Sequence, residues 1–256
     1  MPLPALERVV YGPVASRRLG RSLGINLLPA GMKVCNMNCA YCQYGWTRGA
    51  VRYRGQGTGW PTADVIDLTL SARLHKASDT GELIDRITVA GHGEPTLHPD
   101  FEEVTARICA IRDRIAPGLP LAILSNSTTA AWHDVRRGLL HYDERYMKLD
   151  AGDPITYARL NGLGSSLLRV VDALATLPSI VIQAIFVADE TGDIDNSTEG
   201  AVTEWLEAVE RVHAHGVHIY TLDRAPALGS LRKVPHRRLR EIAERVRSLQ
   251  IPALVF

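Results

Sequence analysis

The stretch GMKVCNMNCAYCQYGW, residues 31–46, holds three of the four cysteines of this 256-residue chain: Cys35, Cys39 and Cys42, in the spacing C-x3-C-x2-C. A closed structural zinc site takes four protein ligands, and the nearest histidine along the chain is His75. The fourth cysteine, Cys109, sits in ARICAIRDRI, a helical pattern in which a small buried thiol needs no further role. Three thiolates in one loop predict a soft-metal or iron–sulfur centre with one coordination position left open. A cubic cluster gripped at three irons leaves the fourth to an outside ligand. A three-thiol zinc or oxidation-sensing site is the alternative. Asn36, Asn38 and Ala40 are small enough to let backbone amides turn toward the sulfurs, which would raise a cluster's reduction potential. Tyr41, directly before the third cysteine, is placed to cover the centre or to pack against its ligand.

Around this loop, short apolar runs alternate with amphipathic stretches. LGINLL (23–28) precedes the cysteines; ITVA (87–90), LAIL (121–124), YMKL (146–149), IVIQAIFV (180–187) and VHIYTL (217–222) follow. Runs rich in Ile, Val and Leu and bounded by turn residues are the mark of buried parallel strands. Between them, Val202, Trp205, Leu206, Val209 and Val212 recur at helical spacing, as do Leu239, Ile242, Ala243, Val246 and Leu249. Pro99-Asp100 and Asn196-Ser197-Thr198 mark helix starts, and Gly216 is a candidate helix end. Six strand–helix units predict an α/β fold, a partial (β/α)6 TIM-like barrel of parallel strands open on one side. The expected organisation is a single domain over 1–256: an N-terminal extension (1–21), a barrel core (22–224) and a C-terminal helix and tail (225–256).

With 46% hydrophobic and 22% charged residues, the composition is that of a globular protein with a real core. Four cysteines are too few for a disulfide framework. No apolar run approaches the ~20 residues that span a bilayer, and MPLPALERVV lacks the pattern of a secretory signal. A cytoplasmic location with no membrane partner is the expectation.

In parallel barrels, sites gather at the C-terminal ends of the strands. Polar and small residues immediately after each run are therefore the candidates. The second run leads into Gly91, His92, Gly93, Glu94 and Pro95, the third into Ser125 and Asn126, and the fourth into Lys148 and Asp150. Asn196 follows the fifth, where it contacts cofactor or caps a helix, and Asp223 and Arg224 follow the sixth. The two glycines would let backbone approach a ligand closely.

The loop C-x3-C-x-aromatic-C after a first strand resembles the signature of the radical S-adenosylmethionine (radical SAM) superfamily. The resemblance implies a 4Fe–4S cluster on Cys35, Cys39 and Cys42. Its open iron would bind the amino and carboxylate groups of S-adenosylmethionine, and reductive cleavage would give a 5′-deoxyadenosyl radical that takes hydrogen from substrate. An electron donor such as flavodoxin or ferredoxin is implied as partner. Gly93-Glu94-Pro95 matches the end of the family's Gly-Gly-Glu-type motif, which holds the amino group of the methionine moiety; His92 departs from it. By the same resemblance Tyr41, Gly91, Ser125, Asn126 and Asn196 are cofactor-binding candidates. Lys148 is a candidate for the anionic end of the cofactor and Asp150 for a hydroxyl or the substrate. Asp150, Arg224 and His92 are the catalytic candidates.

YGPVASRRLGRSLGINLLP (11–29), GEPTLHPD (93–100), MKLDAGDP (147–154) and YTLDRAPA (220–227) narrow the resemblance to small proteins related to wyosine-type, tRNA-modifying synthases. Demethylwyosine synthases carry a second cluster on additional N-terminal cysteines. This chain has no cysteine before Cys35, so that reaction is not carried over.

Residues 1–60 carry eight basic side chains, Arg8, Arg17, Arg18, Arg21, Lys33, Arg48, Arg52 and Arg54, against one acidic, Glu7. Such a segment suits an anionic ligand or a nucleic acid. Three functions follow: a radical SAM enzyme for a small molecule or peptide, one for tRNA, or a non-catalytic thiolate–metal regulatory protein. The arginine run 237–247 is read as a solvated helix face.

Overall fold

An antiparallel hairpin opens the sheet before the parallel strands begin: β1 (Val10–Ser16) turns into β2 (Gly20–Ile25). The computed structural model describes residues 3–49, 51, 53–162 and 166–256. After a long connection that carries the cysteines come α1 (Ala63–Thr80), β3 (Arg86–Val89), α2 (Phe101–Ile115), β4 (Leu121–Ser125), α3 (His133–Leu139) and β5 (Glu144–Lys148). Then follow α4 (Pro154–Asn161), α5 (Leu167–Leu174), β6 (Ile180–Ile185), β7 (Val187–Asp189), α6 (Glu199–Val212) and β8 (Gly216–Tyr220). The chain continues with β9 (Leu231–Lys233), α7 (His236–Ser248) and β10 (Ala253–Val255).

The spatial order is β1-β2-β3-β4-β5-β6-β8-β10, with every pair parallel except the first. The six expected parallel strands are β2 to β6 and β8. Two further strands, antiparallel β1 and parallel β10, lengthen the sheet at its ends. The apolar run 180–187 breaks into β6 and β7, and β7 leaves the main sheet to pair with β9.

Alternation along each strand sorts the side chains. Leu23, Ile25, Ile87, Val89, Ile123, Met147, Ile182 and Ile219 are fully buried. They join the apolar stripes of the helices, such as Val104 and Ile108 of α2, Val202 and Val209 of α6, and Leu239 and Ile242 of α7, in one core. Each such side chain withdrawn from water contributes roughly 1.5–3 kcal/mol. The opposite face of β5, β6 and β8 is polar: Tyr146, Lys148, Gln183, His218 and Tyr220.

Local signals fix the helix ends. Thr62, Asp153 and Thr198 accept from Val65 N, Thr156 N and Ala201 N as N-caps of α1, α4 and α6. The end of α6 is His213, in the left-handed region at φ 52°; Gly216, the candidate for that place, opens β8 instead. Two contacts seat α6 over the end of β5. The Trp205 indole donates to Leu149 O at 2.9 Å. A Cβ on Gly152 would lie 2.0 Å from the Glu204 backbone, so only glycine permits that approach.

Candidate metal and cofactor site

The cysteine loop leaves the C-terminal end of β2 and is tied down by backbone from four directions. Glu94 N donates to Val34 O (3.0 Å), Val51 N to Cys35 O (3.1 Å) and Leu228 N to Ala40 O (2.8 Å). Asn38 N and Ala40 N donate to Asn161 O (3.0 Å) and Leu160 O (2.8 Å) at the end of α4. Within the loop, Cys42 N donates to Cys39 O at 3.1 Å and Gly45 N to Cys42 O at 3.1 Å, two tight turns that bring the later thiols round.

Each of the three sulfurs meets an N–H donor. Cys35 Sγ faces Met37 N at 3.5 Å and Asn126 Nδ2 at 3.7 Å. Cys39 Sγ faces Asn161 Nδ2 at 3.5 Å, and Cys42 Sγ faces Lys33 Nζ at 3.2 Å. Such donors stabilise thiolate charge, so the donor set fits a thiolate-bound cluster. Without a metal, burial and then the neighbouring Cys39 push the Cys35 thiol up to about 12, and burial raises Cys39. A cation or cluster must therefore supply the positive charge that makes these groups thiolates. Among the described residues, no three His, Cys, Asp or Glu side chains converge on one ion position. Cys109, half-buried on α2 beside Arg112 and Asp113, stands apart.

A second cluster of side chains joins the loop to the end of β5. Tyr41 OH donates to Asp150 Oδ2 at 2.5 Å, and Asn161 Nδ2 reaches the same oxygen at 3.1 Å and Tyr41 OH at 2.8 Å. Asp150 Oδ1 accepts from Ile185 N at 3.0 Å and pairs with Lys148 Nζ at 2.7 Å. Lys148 also donates to Tyr220 OH at 2.9 Å and lies 4.7 Å from the Tyr41 ring centroid. Burial pulls the Lys148 amine down, but Asp150 and Tyr220 outweigh it and hold the amine above its usual range. Asn161 is the residue the sequence did not single out. As the last residue of an ordinary amphipathic helix it carries no motif, and only the fold brings it to Cys39.

Glu94 is 1% exposed and caps the short turn Pro95–Leu97. Its Oε1 accepts from Thr96 N, Thr96 Oγ1 (2.6 Å) and Ser125 Oγ (2.9 Å), and Oε2 accepts from Asn126 N at 2.6 Å. Burial raises this carboxyl and those donors lower it. Glu94, Ser125 and Asn126 thus lock β3 to β4 and carry Asn126 toward Cys35. A Cβ on Gly93 would meet Val34 O at 1.7 Å, and one on Gly91 would meet Asn26 Oδ1 at 2.2 Å. In this structure the two glycines permit close approach of Val34 O and of the Asn26 side chain.

Three candidates have other tasks. His92 is fully buried; Nδ1 accepts from Leu6 N at 2.9 Å and Nε2 donates to Pro29 O at 3.0 Å. With both ring nitrogens engaged, it fastens the N-terminal segment and is not free for proton transfer. Asn196 neither caps α6, which Thr198 does, nor faces outward. Its Oδ1 accepts from Val187 N at 2.8 Å, and its Nδ2 donates to Asp150 O (2.8 Å) and Ile185 O (2.7 Å), which explains the break between β6 and β7. Arg224 is exposed and donates to Gln43 Oε1 at 3.1 Å; its neighbour Asp223 pairs with Arg17 at 3.0 Å.

Several arginines of the basic N-terminal segment are paired, while Arg8 is exposed. Arg17, Arg21 and Arg54 pair with Asp223, Asp85 and Asp134. Arg18 points into the barrel and bonds Gln183 Oε1 at 3.1 Å. Arg48 is exposed, and Arg52 lies outside the described residues. On α7, Arg238 and Arg245 pair with Glu199, and Arg237 with Glu241, the solvated face expected there.

The model of the radical SAM superfamily matches residues 31–229. A UPF0026 protein of Methanocaldococcus jannaschii is 33% identical over 153 residues, 60% of this chain and 44% of that protein. A UPF0026 protein of Helicobacter pylori strain J99 is 33% identical over 223 residues, 84% of this chain and 67% of that protein. The matches thus span about half to two thirds of these relatives. TYW1 with a lysine–pyruvate adduct bound has the same fold, with a TM-score of 0.60 at 17% identity over 89% of this chain and 73% of that one.

Proposed function

The chain belongs to the radical SAM superfamily, and we propose that it is a radical SAM enzyme acting on a small molecule or peptide, with Cys35, Cys39 and Cys42 as its cluster ligands. The cofactors of the family are a 4Fe–4S cluster and S-adenosylmethionine. When bound and reduced by an external donor such as flavodoxin or ferredoxin, they supply a 5′-deoxyadenosyl radical for hydrogen abstraction. The protein's own residues hold and orient. Asn126, Asn161 and Lys33 offer N–H groups to the three sulfurs. Tyr41 is held at the rim by Asp150, and Lys148, paired with Asp150 and bonded to Tyr220, would offer its remaining N–H to the carboxylate end of the cofactor.

The observation that carries this reading is the triad of loop sulfurs, each met by its own nitrogen donor, at the rim where Tyr41, Asp150 and Lys148 converge. Arg17, Arg21 and Arg54 each face a carboxylate, which lowers the net charge that this segment offers to RNA. Anaerobic reconstitution should load about four irons and four sulfides per chain, and dithionite should then drive 5′-deoxyadenosine formation from S-adenosylmethionine. Cys35→Ala should abolish both, while Cys109→Ser should change neither. Zinc without labile sulfide in the native protein, or undiminished 5′-deoxyadenosine from Cys35→Ala, would refute it.

A further inference from the structure

Lys148, Gln183 and His218 stand side by side on one rung of β5, β6 and β8, in direct register. Gln183 is 3% exposed and His218 8% exposed, yet Gln183 Nε2 and His218 Nδ1 are both buried with no hydrogen-bond partner among the described residues. A buried polar atom left unpaired costs roughly 1–3 kcal/mol, and two on neighbouring strands need a reason.

The β1–β2 turn brings the reason. Leu19 packs on Ala122 and Tyr146, and Arg86 Nε donates to Leu19 O at 2.7 Å, so the turn lies across the inner face of the sheet. Arg18 reaches from it over the Tyr220 ring, 4.0 Å from the centroid, and donates to Gln183 Oε1 at 3.1 Å. That bond fixes the amide so that Nε2 faces away from the guanidinium. Among the described residues Arg18 is held by an amide and an aromatic face, not by a carboxylate. Lys148, bonded to the hydroxyl of the same Tyr220, has its charge met by Asp150. One uncompensated cation, one unpaired amide donor and one unpaired imidazole nitrogen therefore lie along one stretch of the barrel's inner face, below the rim that carries the cysteine loop. Burial, then Arg18 and Arg86, push His218 down to about 4, so the ring is neutral at pH 7 and adds no further charge.

We propose that Arg18, Gln183 and His218 form the recognition subsite for an oxyanion of the substrate, a carboxylate or a phosphate, with Tyr220 as its wall toward the cofactor. The guanidinium would donate to one oxygen of the anion and the Gln183 amide, turned away from it, to another, and a charge-assisted bond of that kind is shorter and stronger than a neutral one. The inference rests on the radical SAM reading for the substrate's presence but is tested apart from it.

Titration calorimetry of the cluster-loaded full chain at low ionic strength, with acetate and with inorganic phosphate as probes, decides it. Saturable binding of one probe is expected, acetate marking a carboxylate and phosphate a phosphoryl group. Arg18→Gln should weaken that binding about tenfold or more, and Gln183→Met should weaken it measurably. Arg17→Gln, at an exposed pair, should leave it unchanged. No saturable binding of either probe, or binding by Arg18→Gln equal to that of the parent, overturns the subsite. If Arg18→Gln does not fold, Gln183→Met decides alone: unchanged binding overturns, weakened binding supports. Dithionite-driven 5′-deoxyadenosine formation, measured on the same preparation, reports on the radical SAM reading separately.

Discussion

Asn161, at the end of α4, holds its amide nitrogen 3.5 Å from the Cys39 sulfur although 122 residues separate the two. The same nitrogen touches Tyr41 OH and Asp150, so one side chain links a proposed cluster ligand to the end of β5. An N–H pointed at a ligating sulfur favours the more negative, reduced state and raises the potential. With a net hydrogen bond worth about 1 kcal/mol, Asn161→Ala should lower the midpoint of the reconstituted cluster by about 40 mV for a one-electron couple. A redox titration followed by electron paramagnetic resonance measures this, and an unshifted midpoint would remove Asn161 from that role.

Gly93 offers a test that needs no cofactor. Its absent Cβ would lie 1.7 Å from Val34 O, while Gly118 has nothing within 4 Å. Gly93→Ala should force the GHGEP turn off the cysteine loop and cost about 2–4 kcal/mol, a fall in Tm of roughly 5–15 °C for a chain of this size. Gly118→Ala should stay within about 0.5 kcal/mol of the parent. Equal melting temperatures for the two variants would show that the turn can move aside.

Asp150 and Lys148 form a buried pair, the carboxylate side chain 1% exposed and the amine side chain 17%. Removing either alone strands a charge, so Asp150→Asn and Lys148→Met should each destabilise by about 3–5 kcal/mol. The double variant should cost clearly less than the sum, because it removes both charges together. Strict additivity in a urea double-mutant cycle would mean that the pair is not coupled as described.

Acid should weaken the fold through its buried histidines. His92, His98 and His218 are all held below the ordinary histidine value, chiefly by burial, His218 down to about 4. Each takes up its proton more readily when unfolded, so the stability it contributes is complete above about pH 6.5 and is lost as pH falls toward the folded value. For His218 the loss reaches about 3 kcal/mol near pH 4. His218→Gln should flatten the decline in urea midpoint between pH 7 and pH 4.5. A slope identical to the parent's would assign the acid sensitivity elsewhere.

The parallel strands and the thiol loop were legible because both are local: apolar runs at even spacing, and three cysteines in eight residues. Rim residues were legible as to place but less so as to task. Glu94, Ser125 and Asn126 do gather at one strand end, as position after a strand implied, yet their polar atoms face one another. Asn196 and His92 have their hydrogen bonds filled by backbone distant in sequence, which no local pattern discloses. Asn161 escaped notice for the same reason in reverse: its helix is unremarkable until α4 docks on the loop. Strand β1 was folded into an extension because a strand pairing antiparallel at a sheet edge breaks the strand–helix rhythm.

The backbone ties that grip the cysteine loop bear on how the protein is made. Val34, Cys35, Asn38 and Ala40 are anchored by main-chain bonds to Glu94, Val51, Asn161, Leu160 and Leu228, none of which involves a sulfur. A loop held in this way by main-chain bonds would have little conformational freedom left to lose on taking up iron and sulfide, so assembly would cost little ordering. Loop order would then come from the fold more than from the cluster, and the stability of the fold and the occupancy of the loop would be separable quantities.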